Sequence, residues 1–320
     1  MYNVLMFKII ISFLLLLCLL DAKDIKPTFK LRSVGYVSDF VVNTNYLYAA
    51  NDMGTIDVFN LNTKKIVNQI VLPPLITSLN KLIAPNILSV DYLNGKILIV
   101  SIGKDAFRNV WIYENYELKN IINEEKKLTI KEARFLSDEQ IIFGTLGSEV
   151  ILHDTAEQYN LYKTQASHST LGDMILSSDK SEIVIADESG AIKILDAKSS
   201  KLKQSYDSQN VDNIYHVAYS NGIVLTAGQD RRVAVYQDGQ KDYHIKSNFL
   251  VYCVGLSPSA KIALYSSGEE HHLQLFNPTT KVKGNRLVGH DKPINQIKFI
   301  NEKELFSSEG RKDIFYWRLD

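Results

Sequence analysis

Apolar positions along most of this chain fall in short runs separated by polar turns, and the pattern of runs repeats. The stretch AGQDRRVAVY (227–236) has a small residue, a polar turn, aliphatics at the seventh and ninth places and a bulky residue at the tenth. The same frame recurs without a gap as ANDMGTIDVF (50–59), GTLGSEVILH (144–153), ADESGAIKIL (186–195), SGEEHHLQLF (267–276) and SEGRKDIFYW (308–317). A seventh copy, SIGKDAFRNVWIY (101–113), carries three extra turn residues. The tenth positions fall at 59, 113, 153, 195, 236, 276 and 317, so all but one interval is 40 to 42 residues, and the long one holds the insertion LPPLITSLNKLIAPNILS (72–89).

Before each copy lies another strand-like run: VSDFVV, LSVDYL, IKEARFL, LGDMIL, IYHVAY, VYCVGL and INQIKF. Turn formers such as Asn94-Gly95, Ser178-Asp179 and Asn221-Gly222 separate the two, because these residues accept turn dihedrals or bond their own backbone. Each unit therefore predicts strand a, tight turn, strand b, polar turn, strand c and a more polar strand d, such as KKIVNQIV (64–71). Seven such units predict an all-β, seven-bladed β-propeller spanning 23–320 as a single domain. Near-continuous apolar runs such as KILIVS and EIVIAD fit inner strands buried on both faces. The last unit lacks a fourth strand, whereas TFKLRSVGY (28–36) is a strand without a blade, so pairing the two closes the ring and removes exposed edges.

The first residues differ in kind. Lys8 precedes IIISFLLLLCLL (9–20), then Asp21 and Ala22, a pattern expected of a secretory signal peptide over 1–22. Twelve apolar residues fall short of the roughly 20 that a membrane-spanning helix needs, so the mature chain is expected to be exported without stable membrane insertion. Cleavage removes Cys18 and leaves Cys253 alone, so no internal disulfide can hold the fold. The insertion's Pro73, Pro74 and Pro85 favour an extended, protruding loop rich in Leu and Ile that a partner could bind.

Charge adds one exclusion. Lys plus Arg equals Asp plus Glu at 36 each, which argues against a dedicated nucleic-acid binder. No GxSxG, HExxH, P-loop, GxGxxG or CxxCH motif occurs, so no catalytic residue and no cofactor is assigned. The segment GEEHH (268–272) offers metal-ligand types, but neighbouring side chains on a strand point to opposite faces, so no metal ligands are assigned there either.

The segment LVGHDKPINQIKF, with Gly289-His290, and the closing FYWR, with Trp317, resemble the WD40 repeat family. Repeats of that family often link a His, an Asp in the b–c turn and a Trp by hydrogen bonds. Here Asp230 matches the Asp in blade five, which lacks the His, while Arg311 stands at the matching place in blade seven. More closely, LSVDYLNGKILIVS, RNVWIYEN, QNVDNIYHVAY, TAGQDRRVAVY and SSGEEHHLQLF, together with the export signal, resemble the propeller-type accessory proteins that accompany bacterial periplasmic nitrate reductases.

That resemblance implies a periplasmic, non-enzymatic and monomeric scaffold or assembly factor, whose partner is the nitrate reductase or its maturation proteins. A general cell-envelope scaffold, for example in outer-membrane protein assembly, and a propeller enzyme with a bound cofactor are the other readings. In the WD40 family the b–c turns and d–a connections line the face that grips protein partners. Carried onto this chain, that face takes Asp230, Arg231, Arg232, Arg108, Glu269, Glu270, Arg311 and Lys312 as partner-binding residues, with Asp52 and Asp187 nearby. Arginine flanked by acidic residues suits protein recognition through its forked donors.

Overall fold

A computed structural model describes residues 23–77 and 80–319, so the leader expected over 1–22 lies outside the described residues. Seven antiparallel sheets follow one another along the chain, six of them in the simple order a, b, c, d. Their innermost strands are Val37–Val42, Ile87–Leu93, Ile130–Phe135, Leu171–Leu176, Ile214–Ser220, Val254–Leu256 and Gln296–Phe299. Strands a of successive blades lie against one another around a central channel. The hairpins between a and b turn as expected: Asn94 and Gly95, like Asn221 and Gly222, all have positive φ, the backbone that matches strand twist in two-residue turns.

The hydrophobic core is divided among the seven seams, each cluster drawing on two adjacent blades. This explains the continuous apolar runs. In KILIVS, Ile97 and Ile99 pack toward blade one, while Leu98 and Val100 pack toward blade three. In EIVIAD, Ile183 and Ile185 face blade three and Val184 and Ala186 face blade five. A strand between two blades has no solvent face, so the usual apolar-polar alternation disappears. The seams are close: a Cβ at Gly172 would lie 1.9 Å from the Ile214 carbonyl oxygen, so only glycine fits between blades four and five there.

Ring closure follows the expectation. Phe29–Arg32 pairs antiparallel with Asp313–Arg318, setting Phe29 opposite Tyr316 and Leu31 opposite Ile314. The Phe29 and Tyr316 rings stack at 4.5 Å, and Leu31 is buried among Phe40, Phe59 and Phe306. A second N-terminal contact was not visible in the repeat pattern: Asp24–Ile25 adds a parallel fifth strand to blade six beside Lys283–Leu287. The insertion forms a small hairpin, Leu75–Ile76 against Leu82–Ile83, with Ile76, Leu82 and Ile83 exposed and Leu72 and Pro85 tucked in.

Deleting residues 28–36 is expected to lower the melting temperature of the whole ring. Leu31→Ala alone should cost about 2–5 kcal/mol, as for other buried leucines; a variant that melts with the wild type would be incompatible with this closure.

Candidate interaction face and central channel

Antiparallel a–b–c–d order puts every b–c turn and every d–a connection at the same end of the blades, so the residues singled out by the repeat frame share one face. Around that face they are dispersed. Asp52 lies in the b–c turn of blade one, Arg231 in that of blade five, Glu269 and Glu270 in that of blade six, and Arg311 and Lys312 in that of blade seven. Asp187 ends strand b of blade four, and Arg108 opens strand c of blade two. Of these, only Arg108 lines the mouth of the channel.

Asp230, Arg231 and Arg232 divide into two kinds. The Asp230 side chain is only 6% exposed, and it accepts the backbone N–H groups of Val211 (2.9 Å) and Arg232 (3.0 Å). Arg232 donates to the Gln209 carbonyl and sits 3.7 Å from Asp230. Both side chains thus tie the b–c turn to the preceding d–a connection. Arg231 is exposed, with φ of 63°. Arg311 stacks over the Tyr36 ring and donates to its hydroxyl at 3.2 Å, and Lys312 donates to the Val34 carbonyl at 2.7 Å. Glu269 and Glu270 are exposed, and Glu270 lies 3.9 Å from His272.

The His–Trp network is present in blade seven although Arg311 stands at the matching place, because its carboxylate comes from Glu309, two residues earlier. Trp317 Nε1–H donates to Ser307 Oγ (2.7 Å), Ser307 Oγ hydrogen-bonds His290 Nε2 (2.8 Å), and His290 Nδ1 meets Glu309 at 3.0 Å. Burial holds the His290 pKa below the ordinary histidine value despite Glu309. The ring is therefore neutral near pH 7, with its proton on Nδ1 toward the carboxylate and Nε2 accepting from Ser307. Blade five builds the same link from other residues: Asn210 replaces the His, accepting Thr226 Oγ1–H at 2.6 Å, and Asn210 Nδ2 donates to Asp230 at 3.3 Å.

The channel wall carries a set that sequence reasoning passed over. Two residues after the buried aliphatics Val37, Ile87, Ile130, Leu171, Ile214, Val251 and Ile294, which open or lead into the inner strands, stand Asp39, Ser89, Glu132, Asp173, His216, Cys253 and Gln296. A register shift at this point of blades one to five frees the next backbone N–H from its own ladder. That N–H reaches across the seam. Phe40 donates to Gln296 (3.0 Å), Val90 to Asp39 (2.9 Å), Ala133 to Ser89 (3.5 Å), Met174 to Glu132 (2.8 Å) and Val217 to Asp173 (2.7 Å). The Cys253 thiol instead donates to the Val254 carbonyl at 3.7 Å. At the seam between blades five and six the pattern lapses, and His216 Nδ1 is buried without a hydrogen-bond partner. The signal in the sequence was a polar or titratable residue recurring at one place of every inner strand.

Arg134 neutralises part of this ring, lying 2.9 Å from Glu132 and 3.6 Å from Asp39, with Lys298 also 3.6 Å from Asp39. Burial pushes the Asp39 carboxyl up, but Lys298 and Arg134 outweigh it and hold the pKa below the ordinary value. Glu132 goes the other way: burial and the neighbouring Asp173 charge push it up to about 8, against the pull of Arg134 and Lys131. Burial keeps His216 neutral to lower pH than usual, and it pushes the fully buried Cys253 thiol well up. Arg134, Asp173, His216 and Gln296 lie at the waist between an upper cavity of about 360 Å³ and a lower one of about 250 Å³. Among the described residues no three His, Cys, Asp or Glu side chains are grouped to hold a metal ion.

No protein-family model matches the chain, and no curated protein matches it. Among solved structures it is similar to the β-propeller domain of Cps50 (Swd1) from Myceliophteria thermophila, with a TM-score of 0.73 over 92% of this chain and 99% of that one. At 14% identity this likeness shows the fold alone. Together with the His290–Ser307–Trp317 link, it makes the chain a WD40-like seven-bladed β-propeller.

Two outcomes follow from these networks. Trp317→Phe removes one donor from a buried chain and should cost about 1–3 kcal/mol of stability, read by denaturant unfolding. Glu132 titrates at about 8 in the fold against 4.5 when free. The folded chain therefore keeps a proton that the unfolded chain releases, and the Glu132 contribution to stability falls as pH rises through that window. The melting temperature of Glu132→Gln relative to wild type should accordingly climb between about pH 5 and about pH 8, whereas a flat difference would show that the carboxyl is ionised throughout.

Proposed function

We propose that this propeller is a non-enzymatic protein-binding scaffold of the periplasm, an accessory or assembly factor for a periplasmic nitrate reductase system. The observation that carries the scaffold reading is the contrast between the rigid seams and the face above them. Seven inter-blade cores fix the ring. The face of b–c turns and d–a connections presents exposed Tyr36, Met53 and Val211 beside the charges of Arg231 and Arg311. Aromatic and arginine side chains on a preorganised surface are the usual anchors of protein recognition.

The non-enzymatic part of the proposal rests on how the channel groups are used. Asp39, Glu132 and Asp173 accept backbone N–H groups across the seams, and the Cys253 thiol is fully buried with its pKa raised, the opposite of an activated nucleophile. The nitrate reductase link rests on the likeness of the blade segments and the leader to those accessory proteins.

The test is affinity purification of the tagged, exported protein from its native host grown with nitrate, followed by mass spectrometry. The reductase catalytic subunit or its maturation proteins should be enriched over an untagged control. The Arg231→Glu, Arg311→Glu double variant should lose that enrichment at an unchanged melting temperature. Recovery of membrane-assembly components instead would replace the nitrate link with the envelope-scaffold reading.

A further inference from the structure

Four of the eight arginines have a carboxylate beside them. Arg32 pairs with Asp313, Arg134 with Glu132, Arg232 with Asp230 and Arg286 with Asp24. Arg108 differs. It lines the upper cavity of the channel, its Nη1 donates only to the Ala106 carbonyl, and its Nε is buried without a hydrogen-bond partner. Burial depresses its pKa and no carboxylate offsets the effect. Lys131, on the next blade, lines the same cavity, and its ammonium is held by the Leu171 and Gly172 carbonyl oxygens. A guanidinium whose inner donor faces no acceptor carries an unmet desolvation cost that an incoming anion would offset.

Resting on the scaffold reading, we propose that the channel mouth is an acid-anchor site, in which Arg108 and Lys131 receive one Asp or Glu carboxylate from an extended segment of the partner protein. A carboxylate fits the fork of a guanidinium with two parallel hydrogen bonds. The floor of the cavity carries Asp39 and Asp173, which oppose a doubly charged phosphate more than a single carboxylate. The rim argues for a polypeptide over a free anion. Leu146 is 37% exposed at the cavity edge, and Tyr215 lines the opposite wall, stacked on Tyr252 at 5.7 Å. These are surfaces for the apolar neighbours of an acidic side chain, and a free anion would leave them uncovered.

The experiment selects a displayed library of random dodecapeptides on the full exported chain and measures the retained peptides by fluorescence anisotropy. The retained peptides should share an Asp or Glu, and converting it to the amide should weaken binding at least about tenfold, as expected for removing one partner of a buried charge pair. Arg108→Gln should weaken the acidic peptide to the same extent, and Arg108→Lys by less, because it keeps the charge and loses the fork. The peptide amide leaves the protein untouched, so the result does not depend on the variants folding. Retained peptides without an acidic position, binding that Arg108→Gln leaves unchanged, no retained peptide, or displacement by acetate or phosphate at the peptide's own affinity would each overturn the proposal. If Arg108→Gln still enriches the reductase proteins from the native host, the acid anchor fails while the nitrate reductase reading stands.

Discussion

Ring closure is the constraint on which everything else in this protein depends. Four short strands bury too little apolar surface to stand alone, and each blade gains its core only from two neighbours. The last seam must therefore be joined by a segment nearly 300 residues away in sequence, as Phe29 is from Tyr316. Along the channel the same closure is repeated by single hydrogen bonds. The register shift of the inner strands of blades one to five turns one N–H toward the neighbouring blade, and a side chain from that blade accepts it. The bond from Phe40 to Gln296 continues this ring across the closing seam.

This use of polar groups explains why the channel holds so many titratable residues. Asp39, Glu132 and Asp173 are acceptors for backbone donors that would otherwise be stranded in a dry seam. Arg134 and Lys298 then compensate the charge. Burial, with the neighbouring Asp173 charge, outweighs the pull of Arg134 and Lys131 and pushes the Glu132 carboxyl up to about 8. These carboxylates are thereby part of the framework.

The face of b–c turns and d–a connections is built on that framework. Its connections are pinned by Asp187, which accepts the Ser189 hydroxyl within its own turn, and by Asp230 and Glu309, which accept N–H groups of the preceding d–a connections. Exposed side chains such as Arg231 and Tyr36 thus project from a surface that needs little ordering on binding. Arg108 follows the turn Lys104–Ala106 of blade two and lines the channel mouth, where burial lowers its pKa with no carboxylate to offset it.

By itself the sequence determined the blade count, the a–b–c–d order, the Asn-Gly hairpins and the closing strand, because each of these is written in local periodicity or turn chemistry. It also placed the eight face residues at one end of the blades, since that follows from strand order. Only the tertiary structure decided which side chains meet. That Glu309 rather than Arg311 serves His290, that Asp230 and Arg232 are held between their turn and the preceding connection while Arg231 is exposed, that Asp24–Ile25 joins blade six, and that Asp39, Ser89, Glu132, Asp173 and Gln296 accept donors across the seams all depend on how blades pack. Contacts between blades join residues some 40 or more positions apart, as Val217 and Asp173 are at 44. Repeat periodicity fixes where such residues sit along a strand, and the rotation from blade to blade fixes what they touch.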